Sequence, residues 1–280
     1  AADSLTGTGK ALMLNEINAQ SSGSVGIEEF GDTTIKLFGS ASQFNTSGSN
    51  YVAYAWKAGN TWQSNVTGTI PSTVNVNTAN GFSVVKWNGN ATNSTVGHGL
   101  SSTPEFIIMK NASAAGAWLT WHKDYGGGDK YMYLNSSNAV ATQSQFFNST
   151  VPTSTVFSLG THGDINGNGN EIIAYCFHSV SGYSDIGSYS GTGSSNSITG
   201  LGFQPDFVMV KNTDSARGWQ MFDSIRGANQ LLFANSSSDE SDETAGTSLS
   251  SFDSDGFTVG TGNGVNENNN TFIYWAFKMN

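Results

Sequence analysis

Few side chains in this sequence have the types and spacing to do chemistry. The run Asp164-Ile-Asn166-Gly-Asn168-Gly sets oxygen-bearing side chains at alternate positions ahead of a glycine. That is the front of a calcium loop, and it makes Asp164, Asn166 and Asn168 candidate ligands for a hard cation. The bidentate glutamate such a loop needs near its end is replaced by Tyr175, and Gly264 answers Asp164 in a later copy of the run. The favoured reading is therefore a Gly/Asn hairpin turn with no metal. The chain has 4 histidines, His98, His122, His162 and His178, too scattered for a zinc or nucleophile site, and they read as surface or internally satisfied groups. Glu105 and Asp206 each follow a proline and precede an apolar run, which predicts a repeated structural hydrogen bond or an exposed edge charge rather than catalysis. The single cysteine, Cys176, cannot close an intrachain disulfide and has apolar neighbours, so it reads as a buried structural thiol.

The elements that would position these groups must be stabilised by apolar burial. Lys+Arg 11 against Asp+Glu 21 gives a formal charge of −10, and the few cations are dispersed, which argues against a nucleic-acid partner. The 7 Trp, 9 Tyr and 17 Phe are too many for a disordered chain despite its Gly, Ser, Thr and Asn content. No run approaches the roughly 18 apolar residues of a membrane span, and AADSLTGTGK lacks the regions of a signal peptide. Export without a visible signal, or a precursor that begins earlier, is the expectation.

The chain repeats itself. Thr161 to Phe177 (THGDINGNGNEIIAYCF) runs in step with Thr261 to Phe277 (TGNGVNENNNTFIYWAF), and GLSSTPEFIIMKN from Gly99 matches GLGFQPDFVMVKN from Gly200. Trp118 answers Trp219, and YLNSS from Tyr133 answers FANSS from Phe233. DSLTGTGKALMLNE at Asp3 resembles DSIRGANQLLFANS at Asp223, and TIKLFGS and VAYAWK complete that first copy, which lacks its front half. The expected organisation is residues 1–59 as the C-terminal part of an incomplete first β-sandwich repeat, 60–180 as a second sandwich and 181–280 as a third. Either a longer polypeptide or another chain would supply the missing strands.

Short β-rich runs such as FIIMK, FSVVKW and FIYWAF, separated by turn-forming clusters, predict an all-β fold. In VAYAWK, IAYCFH and IYWAFK the two-residue period puts Tyr54 with Trp56, Tyr175 with Phe177, and Trp275 with Phe277 on shared faces. Bulky rings opposite small residues lead to the expectation that these pairs fill the space between the two sheets of each sandwich.

The stretch GYSDIGSYSGTGSSNSITGLGFQPDFVMVKN, followed by MFDSIRG, NSSSDE, FDSDGFTVG and TFIYWAF, resembles tandem concanavalin-like β-sandwich modules of structural proteins of tailed bacteriophages, marine ones especially. The resemblance covers nearly the whole chain and is weakest from Asn60 to Asn80. It implies tandem jelly-roll, concanavalin-like antiparallel sandwiches on the virion, in a tail fibre or surface appendage, with other virion proteins and further copies of the chain as partners. A host-surface polysaccharide is the expected ligand, with Trp62 and Tyr125 as candidates to stack on sugar rings and core placement equally open to both. The alternative is a purely structural capsid or tail decoration or cement protein, and a polysaccharide depolymerase ranks third. Enzymes on such sandwiches commonly carry E-x-D-x-x-E on a strand, and nothing here fits it. The nearest approach, Glu240-Ser-Asp-Glu243, reads as a solvated loop, so no enzymatic activity and no cofactor are expected.

Overall fold

The computed structural model describes every residue except 5, 6, 24, 25, 32, 39–41, 244, 245 and 280, with the backbone alone at 42 and 43. Gly39 and Ser40 of the TIKLFGS run thus lie outside the described residues. The chain is all-β, with 39% strand and 7% helix, and its large sheets are antiparallel.

The first large sheet has eight strands in the order Ala141–Thr142, Lys130–Tyr133, Leu119–His122, Phe106–Asn111, Glu171–Phe177, Phe82–Asn88, Ser72–Asn77 and Gln63–Asn65. One face is covered by the pair Ser94–Gly97 and Val156–Leu159 and by the helical turns Ser144–Phe147 and Gly163–Asn166. Register sets this core: Val74, Val85, Ala174, Met109 and Leu119 lie in one row across five strands, and Trp121, Ile107 and Cys176 in the next but one. All of them are buried beneath Phe146, Phe157 and Leu159.

The second large sheet has six strands, ordered Ser184–Ser190, Thr271–Phe277, Phe207–Asn212, Gln220–Asp223, Gln230–Phe233 and Ser241–Asp242. Three strands, Asn196–Thr199, Gly256–Val259 and Leu249–Asp253, cover it over a core that includes Val208, Val210, Phe222, Phe257, Phe272 and Ala276. The matched glycines Gly99 and Gly200 precede the corresponding strands with φ of +76° and +92°, a conformation that costs a side chain strain.

The ring pairs do not lie where the sequence suggested. Ala174 and Cys176 face the cover of their own sandwich, while Ile173, Tyr175 and Phe177 point the other way. Trp275 and Phe277 likewise point away from their own cover, whereas Tyr274 and Ala276 face it. The two large sheets therefore meet back to back, and the rings fill the seam between sandwiches rather than the space within one. Alternation had specified which residues share a face; which partner each face meets is decided by tertiary packing.

Residues 1–59 contribute two short hairpins, Lys10–Ala11 with Ser21–Ser22 and Ile27–Phe30 with Ile35–Leu37, and the helical turn Ser42–Asn45. Val52 to Lys57 pairs with no strand among the described residues, contrary to the reading of VAYAWK as a strand like its two counterparts. It keeps the two-residue period all the same, with Tyr54 and Trp56 half-buried against the seam and Ala53 and Ala55 exposed.

The seam predicts a graded response to truncation. Phe177→Ala removes a ring that is 6% exposed and contacts Trp56, Phe82 and Trp275, and should cost about 3–5 kcal/mol in a urea melt. Trp56→Ala, at a half-exposed ring, should cost clearly less.

Candidate functional site

The densest constellation of side chains is the seam itself. Trp56, Phe177 and Trp275, one from each copy of the repeat, meet at its centre: ring centroids are 5.0 Å apart for Trp56 and Trp275, 6.1 Å for Trp56 and Phe177 and 4.5 Å for Phe177 and Trp275. Phe106, Phe207 and Phe277 pack around them in tilted, edge-on and offset arrangements that suit the ring quadrupoles.

Polar contacts around these rings repeat with the sequence. The indole Nε1–H of Trp118 donates to Met13 O at 2.8 Å, and that of Trp219 donates to Tyr133 O at 3.0 Å. Lys110 Nζ donates to Ile17 O and Lys211 Nζ to Ser137 O, both at 3.2 Å. Gln20 N–H donates to Ala112 O at 3.0 Å, and Val140 N–H to Thr213 O at 2.9 Å. In each pair the second contact is the first moved along by one repeat. The second copy thus grips the first as the third grips the second.

Hydroxyls close the circle. Tyr175 of the second copy donates to Asp3 Oδ2 in the first at 2.7 Å, and Tyr54 of the first donates to Asp223 Oδ2 in the third at 2.7 Å. Asp3 and Asp223 are matched positions. At the remaining contact Trp275 stands in the tyrosine's place and His122 in the aspartate's. Arg226 Nε holds Asp223 Oδ2 at 2.6 Å, and its Nη1 holds Glu240 Oε2 at 2.6 Å. Burial opposes the charge on Asp223, but the N–H of Arg226, the Tyr54 hydroxyl and the guanidinium outweigh it, and its pKa lies below the ordinary value.

Lys110 and Lys211 are fully buried. Desolvation lowers both to about 8, so they still enter neutral solution charged. Each follows four apolar residues in its strand and spends its protons on carbonyls: Lys110 also on Asn111 O and Gly116 O, Lys211 also on Asn212 O. The sequence had shown them only as repeat markers. Their signal was a cation inside FIIMKN and FVMVKN, where a strand buried on both faces leaves it no route to water.

The expected site residues are not brought together. Asn166 is fully buried; its Nδ2 donates to Thr92 O and Gly160 O, both at 2.7 Å, and its Oδ1 accepts from Asn90 N at 2.9 Å. Its match Asn266 donates to Gly260 O at 2.7 Å and accepts from Thr192 N at 2.7 Å. Asp164 lies on the helical turn Gly163–Asn166, which replaces the expected hairpin, and Asn168 is exposed beyond it. The Asn-Gly spacing serves this turn and pins two loops together. Among the described residues no group of three His, Cys, Asp or Glu side chains could hold a metal ion. Tyr125 is buried with its hydroxyl 2.9 Å from Thr120 Oγ1, so its ring face is closed to a sugar. Trp62 is half-buried against the seam cluster.

The histidines act on the backbone. Nδ1 of His98, His122 and His162 accepts the N–H two residues on, from Leu100, Asp124 and Asp164. Glu105 accepts from Lys123 Nζ at 2.9 Å and Ser179 N at 2.6 Å, while Asp206 accepts from Ser224 Oγ and Met279 N, both at 2.9 Å. This is a repeated structural hydrogen bond tying the start of one strand to the end of its neighbour. Cys176 is buried and its thiol is pushed above the usual range by desolvation.

A family model described as a domain of unknown function (DUF7483) matches residues 1–224 and again 189–280. No curated protein matches the chain, and no solved structure does.

Two outcomes follow. Trp219→Phe keeps the ring but removes the indole donor to Tyr133 O, which retains the Ser136 N–H at 3.2 Å, and should cost about 0.5–1.5 kcal/mol in a urea melt, as should Trp118→Phe at Met13 O, which retains the Glu16 N–H at 3.3 Å. Burial holds His98 at about 4 and His122 at about 3, below the ordinary 6.5. The unfolded chain binds these protons first, so stability should fall as pH drops from 6.5 toward 4. His98→Asn with His122→Asn retains an acceptor for the same N–H groups and should flatten that part of a plot of melting temperature against pH.

Proposed function

We propose that this chain, which belongs to the DUF7483 family of domains of unknown function, is a bacteriophage virion structural protein of the tail-fibre or surface-appendage type. In this role it is a packed relay of sandwiches in which each repeat holds the previous one, with other virion proteins and further copies of itself as partners. The observation that supports this reading is the seam. The bulkiest side chains and the buried cations are used to lock one repeat on the next. The sequence resemblance to tandem virion sandwiches points the same way. The polar exterior, with a formal charge of −10, suits a protein that presents many copies without binding nucleic acid.

A host-surface polysaccharide is the second reading, and the half-exposed ring of Trp62 favours it. Multiple copies would turn weak sugar contacts into useful avidity.

Antibodies raised against residues 1–280 should decorate an appendage or shell of the phage particle in negative-stain images. Labelling confined to host cells would overturn the assignment. For the second reading, a glycan array probed with the multimerised chain should lose its signal on Trp62→Ala at a temperature where circular dichroism shows the variant still folded.

A further inference from the structure

The second and third sandwiches differ at one edge of their large sheets. In the third, Ser184–Ser190 is the last strand, whereas its counterpart Phe82–Asn88 in the second is followed by Ser72–Asn77 and Gln63–Asn65. Between this added hairpin and the chain flanking the cover strands Ser94–Gly97 and Val156–Leu159 lies a groove of about 450 Å³. That is within the ~300–1,000 Å³ of small-molecule sites. Gln63 pairs with Val74 and Asn65 with Ser72, so Gln63, Asn65, Val74 and Val76 share the face that lines it.

The lining is uncharged. Gln63, Asn65, Thr78 and Thr155 stand around a floor that includes Val76 and Leu100, and no ionisable side chain among the described residues lines the groove. Gln63, Thr78 and Thr155 are exposed. The side chains of Gln63 and Thr78 make no hydrogen bond among the described residues, and Asn65 spends only its Oδ1, which accepts from Thr67 N at 2.9 Å. Gly99 keeps the floor open, since a Cβ there would lie 2.6 Å from Val76 Cγ2. The third sandwich closes the matching place with its own chain. Asp255 stands where the second has Thr155, and its carboxylate accepts from Gly200 N at 3.0 Å and Gly202 N at 2.7 Å.

We propose that this groove binds a neutral sugar residue of a polysaccharide, at a site separate from Trp62, which packs on the seam side of the sheet. A side-chain amide offers both donors and an acceptor, and a hydroxyl can act as either. Gln63, Asn65, Thr78 and Thr155 therefore match the adjacent hydroxyls of a hexose, each of which donates and accepts in turn. The valine and leucine floor takes the C–H face of the ring. A carboxylated or sulfated sugar meets no cation here, and the formal charge of −10 opposes its approach. The assignment rests on the polysaccharide reading and adds to it a place and a sugar class.

Neutral glucan, mannan and galactan oligosaccharides, titrated into the isotope-labelled chain, provide the test. At least one should move the amide resonances of residues 63–67, 76–78 and 99–100 while those of 196–202 in the third sandwich stay in place. Gln63→Ala with Thr78→Val, at two exposed side chains without partners, should weaken that binding at least about tenfold at a temperature where circular dichroism shows the variant folded. Thr155→Asp, which copies the third sandwich, should do the same. No movement with any of the neutral sugars, movement confined to Trp62 and its seam neighbours, or an equal response to oligogalacturonate would overturn the proposal. On a glycan array, binding that survives both variants removes the groove and leaves the polysaccharide reading standing, whereas no signal from the original chain removes both.

Discussion

Back-to-back burial of two sheets is the constraint on which the structure depends. A strand such as Glu171–Phe177 is covered on both faces, by its own cover through Ala174 and Cys176 and by the neighbouring sandwich through Ile173, Tyr175 and Phe177. A fully buried apolar side chain contributes about 1.5–3 kcal/mol over leaving it in water. The seam gathers Phe106, Phe177, Phe207, Trp275 and Phe277, each at most 6% exposed, so it outweighs any surface ion pair, which contributes about 0–1 kcal/mol. Lys36 with Glu28, both well exposed, is such a pair. The sandwiches are separate cores held by one shared layer, and the shared layer carries Trp118, Trp219 and Trp275.

Apolar packing alone tolerates sliding, and the buried polar groups remove that freedom. Lys110 and Lys211 are costly to bury, and depressed pKa values of about 8 record that cost. They persist because each meets carbonyls of its own strand region and one carbonyl of the preceding repeat. A shift of the interface by one residue would leave a buried charge short of an acceptor and an indole short of its own. Asn166 and Asn266 perform the matching task within each sandwich, holding backbone groups of separate loops through one amide.

Much of this was legible in the sequence because repetition exposes it. The all-β class, the parity of Tyr175 with Phe177 and the structural use of Glu105 and Asp206 followed from short β-rich runs and matched positions. The direction of the ring face did not, because a two-residue period is the same whether a face looks at its own cover or at a neighbour. Asn166 shows a second limit. Its spacing fits a calcium loop and a loop-pinning amide equally, and only the positions of Thr92 and Gly160, distant in sequence or across a turn, decide between them. Tyr125 shows a third: an aromatic beside GGG could stand open or closed, and what closes it is the fold of its helical turn back onto the Thr120 hydroxyl of the strand before it.

The departures from symmetry bear on how the repeats keep their order. If all three contacts around the seam were Tyr on Asp, any copy could follow any other at similar cost. Two are, through Tyr175 with Asp3 and Tyr54 with Asp223, and the third has Trp275 and His122 instead. His122 presents an imidazole whose Nδ1 already accepts from Asp124 N, whereas Asp223 Oδ2 accepts from both Tyr54 and Arg226, so a tryptophan in that tyrosine's place removes one of two donors. Losing one hydrogen bond of this kind costs about 0.5–1.5 kcal/mol, enough to bias the order of packing several-fold. Rings common to all three copies thus supply the cohesion, and the mismatched pair supplies the sequence in which the copies must close.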